Sequence, residues 1–80
     1  TPDQLIDITN VVSPRTFVKT KLLIEKMAVG DLLEVRLQGK EPLENVPRSV
    51  REHAHKVLSL EPEDKDQAEY GIHRLLIRKT

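Results

Sequence analysis

Residues 5–38 read LIDITNVVSPRTFVKTKLLIEKMAVGDLLEVRLQ, and the hydrophobic period changes twice within them. Leu5 to Ile8 alternates apolar and polar in period two, as a strand does, and Asn10, a residue that tolerates positive φ, ends it. Ser13 followed by Pro14 is a helix start. A serine hydroxyl accepts from the free N–H groups of a first turn, and proline fits where the N–H it lacks would be unpaired. The spacing predicts a helix over 14–28, with Phe17, Thr20, Ile24 and Met27 on one face, Leu23 beside them, and Lys19, Glu25 and Lys26 toward water. Gly30 closes it. From Asp31 to Gln38 the period returns to two, with Leu33, Val35 and Leu37 on one side and Leu32, Glu34 and Arg36 on the other. That pattern predicts a strand covered on one face only.

Outward from this strand-helix-strand unit, Gly39 to Glu44 reads as a loop and Asn45 as the cap of a second helix. Pro47 would sit in its first turn, and Val46, Val50, Ala54 and Val57 would form its buried stripe. Strands are expected over Lys56–Glu61 and Tyr70–Lys79, joined by the acidic connection Pro62–Glu69. The order is βαβαββ. Right-handed crossovers then give an α/β (α+β) two-layer sandwich, a mixed four-stranded sheet with both helices on one face, as a single domain over residues 1–80. The expected core is Phe17, Ile24, Met27, Leu33, Val35, Val50, Leu58, Leu60, Leu75 and Ile77. The bare sheet face would show Leu5, Asp7, Leu32, Glu34, Arg36, Arg74, Leu76 and Arg78, so Arg36, Arg74, Leu76 and Arg78 form a candidate partner surface. The competing reading is a plain solvated sheet face.

Composition narrows the function. Thirteen Lys and Arg balance thirteen Asp and Glu, so the basic footprint of a protein that grips nucleic acid through phosphates is missing, and direct nucleic-acid binding is not expected. Phe17 and Tyr70 are the only aromatics, too few for a base-stacking platform. No apolar run approaches the ~18 residues that suggest a bilayer span, and no signal-peptide pattern opens the chain, so a cytoplasmic protein without membrane contact is expected. The absence of cysteine removes disulfides, thiolate catalysis and Cys-ligated metal.

The histidines offer little more. His53 and His55 are two apart and point in different directions on a helix, so they do not chelate one metal as an i, i+4 pair would. They read as helix C-terminal residues favoured by the dipole, and His73 as a structural histidine on the helix-covered face. No metal and no cofactor are expected. At the helix start, Ser13, Pro14, Arg15 and Thr16, with Lys19 one turn on, form a candidate binding corner for a small anion or a partner's carboxylate. The plainer alternative is an ordinary cap with solvated charges.

The run Asp7-Ile8-Thr9-Asn10-Val11-Val12-Ser13-Pro14-Arg15-Thr16 resembles the opening of the TusA-like (SirA-like) sulfur-carrier family, whose pattern is Asp, a Gly, then Cys-Pro-x-Pro beginning the first helix. Gly30-Asp31 is similar to the family's step into its second strand, Val46-Pro47 to its Ile-Pro at the second helix, His55-Lys56-Val57 to its step into the third strand, and Leu76-Ile77-Arg78-Lys79 to its closing strand. The family's cysteine carries persulfide sulfur between a desulfurase and an acceptor. It falls on Ser13 here, the second proline falls on Thr16, and Asn10 stands in the Gly place. A helix N-terminus lowers a thiol's pKa and suits it to that task, whereas serine keeps the cap and loses the chemistry. No nucleophile-elbow motif surrounds Ser13, so a serine hydrolase is not indicated.

The resemblance thus implies protein partners of sulfur metabolism, a desulfurase or an acceptor, and no catalytic residue in this chain. Three functions stay open: a non-catalytic binding or regulatory module of the family, a Cys-to-Ser form of a genuine sulfurtransferase serving tRNA thiolation or cofactor assembly, and, third, an RNA-contacting domain using Arg36, Arg74 and Arg78.

Overall fold

Period-two alternation in the second strand sets the two faces on which everything else is built. The computed structural model describes residues 2–10 and 15–80, with only the backbone of Arg15. Its elements are β1 (Gln4–Asp7), α1 (Arg15–Glu25), β2 (Leu32–Leu37), α2 (Lys40–Glu52), β3 (Lys56–Pro62) and β4 (His73–Arg78). The expected order and mixed four-stranded sheet are both present, with strand order β1-β2-β4-β3. β1 runs parallel to β2, while β4 is antiparallel to both β2 and β3. β4 is therefore inserted between two strands that run the same way, β2 and β3, joined through α2.

One face of this sheet carries Leu33, Val35, Leu37, Leu75 and Ile77, all fully buried, and the same core takes in Ile24 of α1, Met27 just beyond it, and Val46 and Val50 of α2. The α1 stripe holds: Thr20, Ile24 and Met27 are buried, Phe17 and Leu23 are half-buried, and Lys19, Glu25 and Lys26 are exposed. The helix ends at Glu25 rather than Ala28. Its last turn tightens, with Lys26 N–H donating to Leu23 O (3.1 Å) and Met27 N–H to Ile24 O (3.0 Å). Lys79 Nζ then reaches from the far end of the chain to Met27 O (2.6 Å) and Glu25 O (3.2 Å), satisfying carbonyls the helix leaves open. Gly30 follows at φ 93°, where a side chain would be strained.

The second helix begins at Lys40, not beside Asn45. Gly39 at φ 96° turns the chain straight out of β2, so the expected loop over 39–44 is mostly helix. Pro42, not Pro47, occupies the first turn, where the missing N–H costs nothing. Pro47 sits inside the helix and is buried, so Leu43 O lacks its usual helical donor and burial of the ring offsets the loss. Asn45 caps nothing; its Oδ1 accepts from Arg48 Nη2 at 2.7 Å. The helix stops at Glu52, which leaves Ala54 exposed at φ 66° and outside the stripe, and Val57 half-buried on β3.

Leu58 and Leu60 leave the expected core as well. They are 36% and 38% exposed because β3 is an edge strand and a bulge between Val57 and Ser59 makes Leu58 the extra, unpaired residue. Ile8 and Leu37 take their place inside. The last strand starts at His73, while Tyr70 stays in the connection and accepts the Gly39 N–H through its carbonyl at 2.9 Å.

Candidate functional site

The route from β1 into α1 is anchored before it reaches the helix. Asp7 Oδ1 accepts both the N–H (2.9 Å) and the hydroxyl (2.7 Å) of Thr9, a local turn that short acidic side chains favour. Gln38 Nε2 donates to Thr9 O at 3.1 Å, and Ile8 N–H donates to Arg36 O at 2.9 Å. Every polar group of Thr9 is thus held by β1 or by the end of β2. Asp7 Oδ2 accepts from Arg36 Nη1 at 2.6 Å. The Thr9 hydrogen bonds, and after them Arg36, hold the Asp7 carboxyl below its ordinary range.

Ser13 and Pro14, the centre of the sequence-expected binding corner, lie outside the described residues, as does the side chain of Arg15. Thr16 is 2% exposed, so its side chain is shut away from solvent. Its carbonyl accepts the Thr20 hydroxyl at 3.0 Å. Lys19 is exposed one turn on. Beside this first turn, the Phe17 ring meets the His53 ring with centroids 5.1 Å apart. His53 is the C-cap residue of α2 and its Nδ1 lies 2.9 Å from Ser49 O, a structural role at a helix end.

The other histidines are tied to backbone. His55 Nδ1 accepts from Thr80 N–H at 3.3 Å, and burial, followed by the charges of Lys79 and His53, lowers its pKa. His73 Nδ1 lies 2.8 Å from Gly71 O. Among the described residues no group of three His, Asp or Glu is placed to hold a metal ion.

Among the described residues nothing packs on the opposite face of the sheet, and its register arranges the side chains in three levels. Leu32, Arg78 and Lys56 form the first, Leu5, Glu34, Leu76 and Ser59 the second, and Asp7, Arg36, Arg74 and Glu61 the third. Glu63 lies just beyond and bridges two arginines, with Oε2 accepting from Arg36 Nη2 at 2.8 Å and Oε1 from Arg74 Nη2 at 2.9 Å. Those two bonds lower the Glu63 pKa, and the Glu63 and Asp7 bonds raise that of Arg36. The Arg36, Arg74, Leu76 and Arg78 set does share this face, but Arg36 and Arg74 are occupied by carboxylates of their own chain. A cleft of about 300 Å³ opens between Glu34, Ser59, Glu61, Glu63, Arg74 and Leu76.

One contributor escapes the sequence pattern, and so do the contacts of another. Glu63 sits in what reads as a solvated acidic connection, and only the β3–β4 register carries it to Arg36, 27 positions away. Asp7 was legible as a bare-face residue, while its hold on Thr9 depends on a turn with no periodic signal.

The family description Sulfurtransferase TusA matches residues 4–79. A protein of Archaeoglobus fulgidus named "Putative sulfur carrier protein" is 41% identical over 59 residues, which span 74% of this chain and 67% of that protein. The crystal structure of a SirA-like protein from Desulfitobacterium hafniense aligns with a TM-score of 0.73 over 94% of this chain and 95% of that one; at 16% identity it speaks for the fold alone. With the match running through all six elements, this chain belongs to the TusA sulfurtransferase family.

Proposed function

We propose that this chain is a non-catalytic binding or regulatory module of sulfur metabolism, one that keeps the sulfur-carrier fold and docks on the family's protein partners without carrying sulfur. The observation behind this reading is the absence of any cysteine among the 80 residues, with Ser13 at the position that resembles the family's sulfur-bearing residue. Carriage of sulfane sulfur requires a thiolate that attacks a donor persulfide and holds the transferred sulfur in an S–S bond. A serine hydroxyl forms no such bond and stays protonated at neutral pH. The α1 start keeps what helix geometry supplies irrespective of the thiol: free backbone N–H groups and the positive end of a dipole. Ser13, Pro14, Arg15 and the backbone N–H of Thr16 are the groups assigned to contact a partner carboxylate or small anion there, in a cytoplasmic setting.

A second reading, that of a genuine carrier in Cys-to-Ser form, is favoured by the 41% identity to the archaeal protein named as a sulfur carrier. Contact with RNA has less support, because Arg36 and Arg74 are already paired within the chain. Titration of the ¹⁵N-labelled chain with a cysteine desulfurase tests the first reading. Amide shifts at the start of α1 with no change in the chain's mass are expected. Unmoved spectra with desulfurases and sulfur-acceptor proteins alike would refute it.

A further inference from the structure

The guanidinium of Arg36 is gripped on both sides by carboxylates from distant parts of the chain. Its Nη1 donates to Asp7 Oδ2 at 2.6 Å, 29 positions away on β1, and its Nη2 donates to Glu63 Oε2 at 2.8 Å, 27 positions away just past β3. Asp7 accepts from Thr9 on its other oxygen, at 2.9 Å from the N–H and 2.7 Å from the hydroxyl. Four residues thus form one continuous line of charge-assisted hydrogen bonds, from the β3–β4 connection across the open face to the turn that follows β1.

Two neighbours of Arg36 give the Glu63 end of that line its weight. Arg74 lies directly opposite Arg36 across β2 and β4, where like charges repel, and Glu63, whose Oε1 accepts from Arg74 Nη2 at 2.9 Å, binds both and offsets the repulsion. Glu34, two residues before Arg36 on the same face, has no ion-pair partner among the described residues, so a guanidinium released by Glu63 has another carboxylate to turn to, away from Asp7. Thr9 is four positions before Ser13, and four residues span at most ~14 Å, so the placement of Thr9 bounds where Ser13 can lie. We propose that Glu63 is a positioning residue for the docking corner: through Arg36 and Asp7 it fixes the Thr9 turn, and with it the approach of the chain to the start of α1. The functional half of this rests on the reading of that corner given above; the coupling from Glu63 to Thr9 does not.

NMR titration of the Asp7 carboxyl carbon in Glu63→Ala separates positioning from a change of charge alone. Removing a negative charge with Arg36 left in place would lower the Asp7 pKa further, whereas departure of Arg36 and slackening of the Thr9 bonds raises it. A rise is expected. Exchange of the Thr9 N–H should quicken about threefold to tenfold, the range for loss of one net hydrogen bond. Neither change should appear when Glu63→Ala is added to Arg36→Ala, the cycle that tests the route. In a Ser13→Cys background the pH dependence of alkylation reads the pKa of the thiol whatever its access, and Glu63→Ala should move it up as the thiol leaves the helix N-terminus. Glu63→Gln, which keeps the length of the side chain, should act in the same direction, and thermal unfolding shows that each variant is folded. An Asp7 pKa that falls or stays, an unchanged Thr9 exchange rate, effects that persist in Arg36→Ala, or an unmoved thiol would each overturn the proposal. Failure of desulfurases and acceptors to dock would overturn only the functional reading above, and these four readouts would stand apart from it.

Discussion

Replacing Lys79 by Met keeps the aliphatic stem and removes one ammonium, which tests whether the closing strand caps α1. Lys79 Nζ donates to Met27 O at 2.6 Å and to Glu25 O at 3.2 Å, joining residues more than fifty positions apart. Hydrogen bonds from a charged donor contribute about 1.5–3 kcal/mol, and a cation at a helix C-terminus about 0.3–1 kcal/mol when exposed. Both carbonyls lie near the surface, where water replaces part of the lost bonding, so the net cost should be about 1–2 kcal/mol. For a domain of this size that corresponds to roughly 5–15 °C in thermal midpoint. Thermal and urea unfolding followed by circular dichroism measure it, with Lys26→Met as the control that removes an exposed charge on the same turn. A Lys79→Met midpoint within about 2 °C of that control would refute the capping role, since about 1 kcal/mol should move it by at least 4 °C.

Ile24→Ala removes a side chain that is 2% exposed between α1 and the sheet, and chemical unfolding should show a loss of about 2–5 kcal/mol; a change under ~1 kcal/mol would mean the helix is rotated from its assigned face. A Cβ at Gly71 would stand 2.9 Å from Gln67 Nε2 and 3.1 Å from Ala68 O, so Gly71→Ala should destabilise by about 1–3 kcal/mol, and less in a Gln67→Ala background. If the penalty is the same in both backgrounds, the Gln67 contact is not its cause. The folded pKa of His55 lies below its ordinary 6.5, so the unfolded chain binds more protons just below that pH. Its contribution is therefore present above pH 6.5 and lost as pH falls through the folded value, and the pH dependence of stability in that window should flatten in His55→Gln.

The sheet and the first crossover were legible because their signals are local. Alternation in β2 and the 3–4 spacing of Thr20, Ile24 and Met27 survive folding unchanged, since a period reports a face whichever neighbour covers it. α2 was misplaced because two prolines, Pro42 and Pro47, compete for the role of first-turn residue, and only the packing of Pro47 against the core makes its interior place tolerable. Leu58 and Leu60 carry the right residue types for a core and lose it to an edge position and a bulge, features of strand order that no single strand encodes. On the open face the arginines were legible and their neutralisation was not, because Glu63 meets Arg36 through register across β3 and β4. The binding corner is different again: Ser13-Pro14 carries its meaning through chemistry and family resemblance, and the contacts the fold adds nearby are those of Asp7 and Gln38 with Thr9.

On the proposed reading, this chain retains the partner-docking frame of a sulfur carrier and lacks only the atom that holds sulfur. Intact-mass spectrometry of the chain and of its Ser13→Cys variant, each incubated with a cysteine desulfurase and cysteine, tests it most directly. The parent should keep its mass, and the variant should gain one sulfur, about 32 Da, that a thiol reductant removes by attack on the persulfide. A variant that stays unloaded with several desulfurases would contradict the claim by showing that the docking frame has changed along with the thiol, and a parent that gains sulfur would contradict it from the other side.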